Sequence, residues 1–304
     1  MKISFLKKKH YKINGGTKYF IDCSEINSDS NTIFPTEILK NINDISIIKA
    51  VLNYSKYIKK NKNIVIKIAH ESKTNKKEYD ISKRLSEING FIKNICLFKC
   101  YDNTYEQILY NKKLPSKICT ADNINENNKL VLILPYIQEG SIRNYKWNLE
   151  NIYILKSLLK QSIISLMEAY IKHGFLHNDL HLDNILFKKT KINNIKYDNN
   201  IEIKTNGYKI IIMDFDSSFI DVDRIVGIEY FWSNLGNLIS RLVYDLNDKI
   251  IPIKYDDEIE RFIRYAKINK IDVKNSIKLL ELIDKLEFKL AEPLQILKYD
   301  PNIY

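Results

Sequence analysis

The chain has 304 residues, 45% of them hydrophobic and 28% charged, which is enough apolar content to bury a full core and excludes a disordered chain. Lys and Arg number 48 against 37 Asp and Glu, a net charge of +11; this favours polyanionic partners, and no motif specific for nucleic acid accompanies it. No uncharged apolar run reaches the roughly eighteen residues of a membrane span, and no apolar stretch of a secretory signal follows Lys7-Lys8-Lys9.

The four cysteines, Cys23, Cys96, Cys100 and Cys119, form no CxxC pair. Cys96 and Cys100 lie in an apolar, strand-like run and read as buried free thiols. The compartment expected is therefore intracellular and reducing. The abundance of Lys, Ile and Asn suits an AT-rich genome such as that of a large DNA virus or a parasite, which would make the setting a host cytoplasm or a virion.

Residues 1–36 carry little pattern beyond a possible turn at Gly15-Gly16 and a short run Lys18-Tyr19-Phe20-Ile21. Residues 46–54 are rich in β-formers. A Lys/Asn turn follows, and then the apolar run Ile64-Val65-Ile66-Lys67-Ile68-Ala69, which predicts an antiparallel hairpin. A lysine inside such a strand needs either a partner for its ammonium or a route to water. Glu78, Ile81 and Leu85 recur at helical spacing, predicting an amphipathic helix that offers Glu78 back toward the sheet. Glu71, the competing acid, falls in the loop before it. Asn94 to Phe98 reads as a fourth strand, residues 102–128 as an Asn-rich loop, and Leu130 to Leu134 as a buried strand. Pro135 breaks that strand, and a helix start is expected after Gly140-Ser141.

From Ile152 to Tyr170 apolar residues keep helical spacing up to His173-Gly174. The chain then enters His177-Asn178-Asp179-Leu180-His181-Leu182-Asp183-Asn184, with a carboxylate five residues before an amide and apolar residues on both sides. This reads as a tight loop feeding a buried strand, able to present an oxygen base and an amide ligand to one pocket. A polar excursion, Lys188 to Asn200, precedes two strand-like runs around the turn Asn206-Gly207, the second ending in Asp214-Phe215-Asp216. A carboxylate at the end of an apolar strand is either a metal ligand or an ordinary turn residue. Beyond it, Glu229 to Val243 reads as a helix, and residues 257–290 as two amphipathic helices with Leu279, Leu280, Leu282, Ile283 and Leu286 inward.

The loop from His177 to Asn184 resembles the H-x-D-L-x-x-x-N catalytic loop of the protein kinase-like superfamily, and further matches follow that family's order across roughly residues 39–245. Ile64 to Lys67 is similar to the V-A-I-K strand, Glu78 with Ile81 and Leu85 to helix αC, Leu134 to Arg143 to the hinge, and Asp214-Phe215-Asp216 to D-F-G. The resemblance implies an α+β, two-lobed kinase-like fold. Residues 1–36 would be a divergent N-terminal segment, 37–137 an antiparallel-sheet N-lobe with helix αC, and 138–304 a mainly helical C-lobe with a shortened activation segment.

It also implies ATP and Mg²⁺, with two ions possible. Lys67 would hold the α- and β-phosphates and Glu78 would fix Lys67. Ile47, Val65, Leu134, Pro135, Tyr136 and Ile137 would line the nucleotide site, with Leu134 guarding its back. Asn184 and Asp214 would bind metal. Asp179 would accept the proton of the acceptor hydroxyl, while His177 would brace the loop.

Several positions depart from the family pattern. Lys40, Ile42 and Ile45 stand where the phosphate-covering loop has its glycines, Asn178 replaces the arginine of H-R-D, and Asp216 replaces the glycine of D-F-G. No A-P-E follows. Control through activation-loop phosphorylation is therefore not expected. His181, where serine/threonine kinases usually carry lysine, is closer to atypical kinases and to small-molecule phosphotransferases of the aminoglycoside and ABC1 kinds. The reading is a serine/threonine kinase acting on a hydroxyl, on a protein in preference to a small molecule. The alternatives are a pseudokinase binding module and a small-molecule kinase.

Overall fold

The computed structural model describes residues 33–42, 45–52, 62–70, 73–101, 128–223, 225–246, 250–252, 261–262 and 273–290. The expected turn at Gly15-Gly16, the Asn-rich loop over most of 102–128 and, apart from helical residues 261–262, the first of the two late helices lie outside them. The chain is mixed α+β and divides into two compact units. One comprises the described residues of Met1–Glu71 and Ile95–Leu134, the other those of Ser72–Asn94 and Pro135–Tyr304.

The first unit is a five-stranded sheet. Its strands are β1 (Ile33–Ile42), β2 (Ile45–Leu52), β3 (Lys62–His70), β4 (Cys96–Tyr101) and β5 (Asn128–Pro135), in the order β1-β2-β3-β5-β4. The predicted hairpin is present, with β2 antiparallel to β3 in the register Ile48↔Ile66. Strict alternation builds the core, because successive side chains of a strand point to opposite faces. Ile48, Ala50, Leu52, Ile64, Ile66, Ile68, Val131 and Ile133 form one buried layer with Ile33 and Cys96. A fully buried Ile contributes about 1.5–3 kcal/mol, so this layer alone is enough to fix the register. β1 was not singled out in the sequence: Pro35, Thr36, Glu37 and Lys40 dilute its apolar signal, and register shifts between Pro35/Glu37 and Ile38/Lys40 break its alternation.

Cys96 is buried and disulfide-bonded, not the free thiol expected. An apolar setting without CxxC spacing suits half a cystine as well as a thiol, so the inference of a reducing compartment loses that support.

The second unit begins with helix α1 (Lys73–Arg84) and is built around α2 (Ile152–His173). α2 is buried over most of its circumference, and its buried polar residues are used to seat other elements. Gln161 grips one strand from both sides: Nε2 donates to the Tyr208 carbonyl at 3.1 Å, and Oε1 accepts from the Ile210 N–H at 3.2 Å. The Ser157 hydroxyl donates to the Lys204 carbonyl at 2.5 Å, and Glu168 Oε1 accepts from the Asp198 N–H at 2.8 Å.

The strands of this unit are β6 (Ile185–Lys189), β7 (Asn194–Lys196), β8 (Glu202–Lys204) and β9 (Tyr208–Ile212). The two strand-like runs flanking Asn206-Gly207 are both strands, β8 and β9, but do not pair with each other. Instead β9 pairs with β6 and β8 with β7, and β7 lies in what was read as a polar excursion. The reason is burial. β7 and β8 each carry a single inward residue, whereas Ile210 and Ile212 of β9 lie opposite Phe187 and Ile185 of β6.

Helix α3 (Gly227–Asp245) follows, and then β10 (Ile250–Pro252), α4 (Val273–Lys285) and β11 (Phe288–Leu290). β10 and β11 pair antiparallel, so Phe288 to Leu290 is strand where helix was expected. Likewise Ser141 to Arg143 forms a turn, with Ile142 N–H donating to the Ile185 carbonyl at 2.9 Å; helix begins only at Ile152. Among the described residues no helix is long and apolar enough to cross a membrane.

Candidate active site

The central loop is fixed at both ends by backbone. α2 ends at Gly174 in the left-handed region, φ 56° and ψ 38°, with its N–H donating to Tyr170 O at 2.8 Å. A Cβ on Gly174 would lie 2.5 Å from the Val222 carbonyl, so glycine also permits the close approach of the chain around Val222. Leu176 then exchanges backbone hydrogen bonds with Phe219 in both directions, at 2.9 and 2.8 Å.

His177 is 2% exposed, and its Nε2 lies 3.0 Å from the Met213 carbonyl. A carbonyl only accepts, so Nε2 carries the hydrogen and Nδ1, buried without a partner, keeps the lone pair. Burial holds this imidazole below the usual histidine range, so the ring is neutral. Its own carbonyl accepts from the Ser218 hydroxyl at 3.0 Å. His177 thus ties the loop to the chain on both sides of Asp214. Asn178 adopts φ 59°, a conformation that Asn tolerates better than most residues.

Asp179 projects half-exposed at the tip of the loop. The chain then turns through Leu182–Asn184, and the amide Nδ2 of the buried Asn184 donates back to the Asp179 carbonyl at 2.9 Å. The Asn184 carbonyl accepts from Met213 N–H at 3.0 Å, extending the β6–β9 ladder by one bond. This places Asn184 beside the residue preceding Asp214, so the loop and the end of β9 are locked together.

Asp214 has φ 66°, unusual for a residue other than glycine, and turns the chain sharply after the strand. The next side chain, Phe215, is fully buried. Its ring centroid is 5.8 Å from Phe175, 5.8 Å from His177 and 6.1 Å from Phe91. Lys77 of α1 donates to the Asp216 carbonyl at 3.0 Å and stands over the Phe219 ring, while Arg84 pairs with both oxygens of Asp221.

The sheet unit groups another set. Ile47 is directly opposite Lys67 in the β2–β3 register, and Val65 is two residues before Lys67. Ile47, Val65 and Lys67 therefore share the face opposite the core layer. Lys67 is nonetheless only 7% exposed, and Leu134 is buried at the end of β5. Glu78, on α1 of the second unit, is 2% exposed. In that unit the chain runs from half-buried Pro135, the last residue of β5, through half-buried Tyr136 and buried Ile137. It then turns at Gly140, φ 79°, whose carbonyl accepts from Phe187 N–H at 3.2 Å.

Asn184 and Asp214 offer an amide oxygen and a carboxylate, the hard donors that suit Mg²⁺. Among the described residues no three His, Cys, Asp or Glu side chains form a ready cage. A small ion held by one or two carboxylates, water and phosphate oxygens does not require one, so the donor set fits. The sequence missed Ser141, Arg143, Lys77 and Arg84 as supports of this region. Only Asp183, an unexplained acid inside the motif, hinted at the first two.

No protein-family model matches the chain. Among curated proteins it is similar to the serine/threonine-protein kinase haspin of Mus musculus, 32% identical over 167 residues that take in 49% of this chain and 22% of that protein. The same kinase of Bos taurus is 32% identical over 167 residues, 21% of its length. The match thus spans about a fifth of the length of these relatives. Over about half of its length, the chain is similar to a serine/threonine-protein kinase.

Proposed function

We propose that this chain is an ATP- and Mg²⁺-dependent phosphotransferase of the serine/threonine protein-kinase type, acting on a protein hydroxyl. What carries the reading is the pair of bonds on Asn184: its amide to the Asp179 carbonyl and its carbonyl to Met213 N–H. Together they hold a half-exposed carboxylate, an amide oxygen and the residue before Asp214 in one small framework. The similarity to haspin over half the chain supports the same reading.

In this role Asp179 accepts the hydrogen of the acceptor hydroxyl and orients its oxygen for in-line attack on the γ-phosphorus. Asn184 and Asp214 hold Mg²⁺, which when bound neutralises phosphate charge. On the sheet unit, Lys67 binds the α- and β-phosphates, and Ile47, Val65 and Leu134 take the nucleoside. His177, buried and held below the usual histidine range by desolvation, keeps the loop in shape. Such chemistry depends on positioning and fixed charge more than on covalent steps, which suits a loop closed by this many backbone bonds.

Thermal unfolding with ATP and Mg²⁺ tests the binding half. At a concentration 100 times Kd, ATP·Mg²⁺ stabilises by about 2.7 kcal/mol, a readily measured rise in melting temperature. Lys67→Met is expected to weaken that rise. No rise in the wild-type chain would overturn the nucleotide assignment.

A further inference from the structure

Asp183 has no part in the chemistry above, yet it is the most heavily engaged acid of the loop. Its Oδ2 accepts from Arg143 Nη1 at 2.9 Å, and its Oδ1 lies 3.4 Å from the Ser141 hydroxyl. Ser141 is buried; its hydroxyl also accepts from the Asn144 N–H at 3.3 Å and the Asn144 Nδ2 at 3.1 Å. The turn carrying both residues is bound to β6, through a bridge from Ser141 to Leu186 and the Ile142–Ile185 hydrogen bond. Asp183 is thus tethered to the strand that leaves the loop.

On its other side stands His181. His181 Nδ1 is 3.7 Å from Asp183 Oδ2, and its Nε2 is 3.6 Å from Asp179 Oδ2. One imidazole therefore sits between two carboxylates, one of them anchored and the other the proposed base. The extended backbone of His181, φ −143° and ψ 170°, followed by the tight turn Leu182–Asn184, brings residues 179, 181 and 183 to one side.

We propose that Asp183, held by Arg143 and Ser141, is a positioning residue that fixes the His181 ring against Oδ2 of Asp179 and leaves the other oxygen to the acceptor hydroxyl. This rests on the phosphotransferase reading. A half-exposed aspartate can otherwise turn about its last torsion, and a base displaced by about 1 Å can lose up to about a hundredfold in rate. Arg143, Asp183 and Asp179 are all partly exposed, so solvent screens their pairing and the pair matters little to folding. Its effect belongs in the rate. Arg143 lies forty residues from Asp183, and neither residue's neighbours in sequence give away the pairing.

The test uses the full chain, γ-labelled ATP with Mg²⁺ and casein as acceptor. Asp183→Asn is expected to lower kcat about tenfold, with KM for ATP changed less than about twofold and the melting temperature nearly unchanged. Arg143→Ala should do the same to a smaller extent. In a His181→Ala background, Asp183→Asn should add less than about a twofold loss, because the intermediary is gone. An equal loss in both backgrounds, an unchanged kcat, or a loss that tracks a fall in melting temperature would overturn the proposal.

Imidazole ¹⁵N spectra decide the contact without activity. The chain has five histidines, and the His181 signals are the ones missing from His181→Ala. They should move in Asp183→Asn and in Asp179→Asn. Signals unmoved in Asp183→Asn overturn the contact, whether or not the wild type transfers phosphate. A wild type that transfers none to casein or to any other protein, sugar or aminoglycoside offered, with those signals moving, overturns the phosphotransferase reading and leaves the contact standing.

Discussion

Phe215→Ala is the most informative perturbation of the loop's support. The Phe215 side chain is fully buried, and its ring packs on Phe91, Phe175 and His177. Phe91 belongs to the chain after α1, Phe175 directly follows Gly174, His177 opens the loop to Asn184, and Phe215 itself lies in the turn after β9. Truncation removes the apolar contact and leaves a cavity between segments that are separately fixed by backbone bonds and cannot close over it. A core Phe→Ala change of this kind costs about 3–5 kcal/mol. For a unit of this size, with roughly 2–4 °C per kcal/mol, the melting temperature should fall by roughly 6–20 °C. Differential scanning calorimetry and urea titration would read it, and Phe215→Leu should recover a large part of the loss. A change below about 1 kcal/mol would show that the residue after Asp214 is not seated in this cluster, because a fully packed ring cannot be removed so cheaply.

Two further predictions probe the same framework. Gly174→Ala would force a Cβ against the Val222 carbonyl at 2.5 Å and a left-handed φ of 56° on alanine. It should destabilise by about 1–3 kcal/mol in chemical denaturation, and an unchanged midpoint would refute the close approach. His177 is buried neutral with its affinity for protons lowered, chiefly by desolvation. Its stabilising contribution is complete above the unfolded value near pH 6.5. It is lost as pH falls below that value, because the unfolded chain then binds a proton that the folded chain refuses. Stability of the wild type should drop between pH 7.5 and 5.5, at up to about 1.4 kcal/mol per pH unit from this group, and His177→Gln should flatten the slope. His173 is shifted the same way, chiefly by burial and then by Arg84 and Lys172, so the difference between wild type and variant is what isolates His177. Equal slopes would mean that His177 is not buried neutral.

Much of this was legible where one physical signal dominated. A stretch rich in β-formers marked β2, apolar runs marked β3 and β5, and helical spacing ended by His173-Gly174 marked α2. The spacing of Asp179 and Asn184 foretold the loop, and the amide-to-carbonyl bond shows how that spacing closes it. What could not be read depended on contacts distant in sequence. Nothing local says that Tyr208–Ile212 pairs with Ile185–Lys189 and not with the nearer Glu202–Lys204. Phe288-Lys289-Leu290 extends the spacing of α4, and becomes strand because Ile250–Pro252 pairs with it. Arg143 looked like the start of a helix until its partner Asp183 was in view. Cys96 carries no sign of its disulfide in its neighbours.

The central question is whether the Asp179 carboxylate serves phosphate transfer, and transfer itself answers it most directly. The wild-type chain and Asp179→Asn should be incubated with γ-labelled ATP and Mg²⁺ against a panel of proteins, sugars and aminoglycosides. The predicted result is label on a protein hydroxyl with the wild type, and a loss of at least about a hundredfold in Asp179→Asn, with stabilisation by ATP retained. Label on a sugar or aminoglycoside would keep the chemistry and change the acceptor class. Nucleotide binding without transfer would mark a nucleotide-binding module instead of an enzyme. Equal transfer by wild type and Asp179→Asn would contradict the role given to the loop.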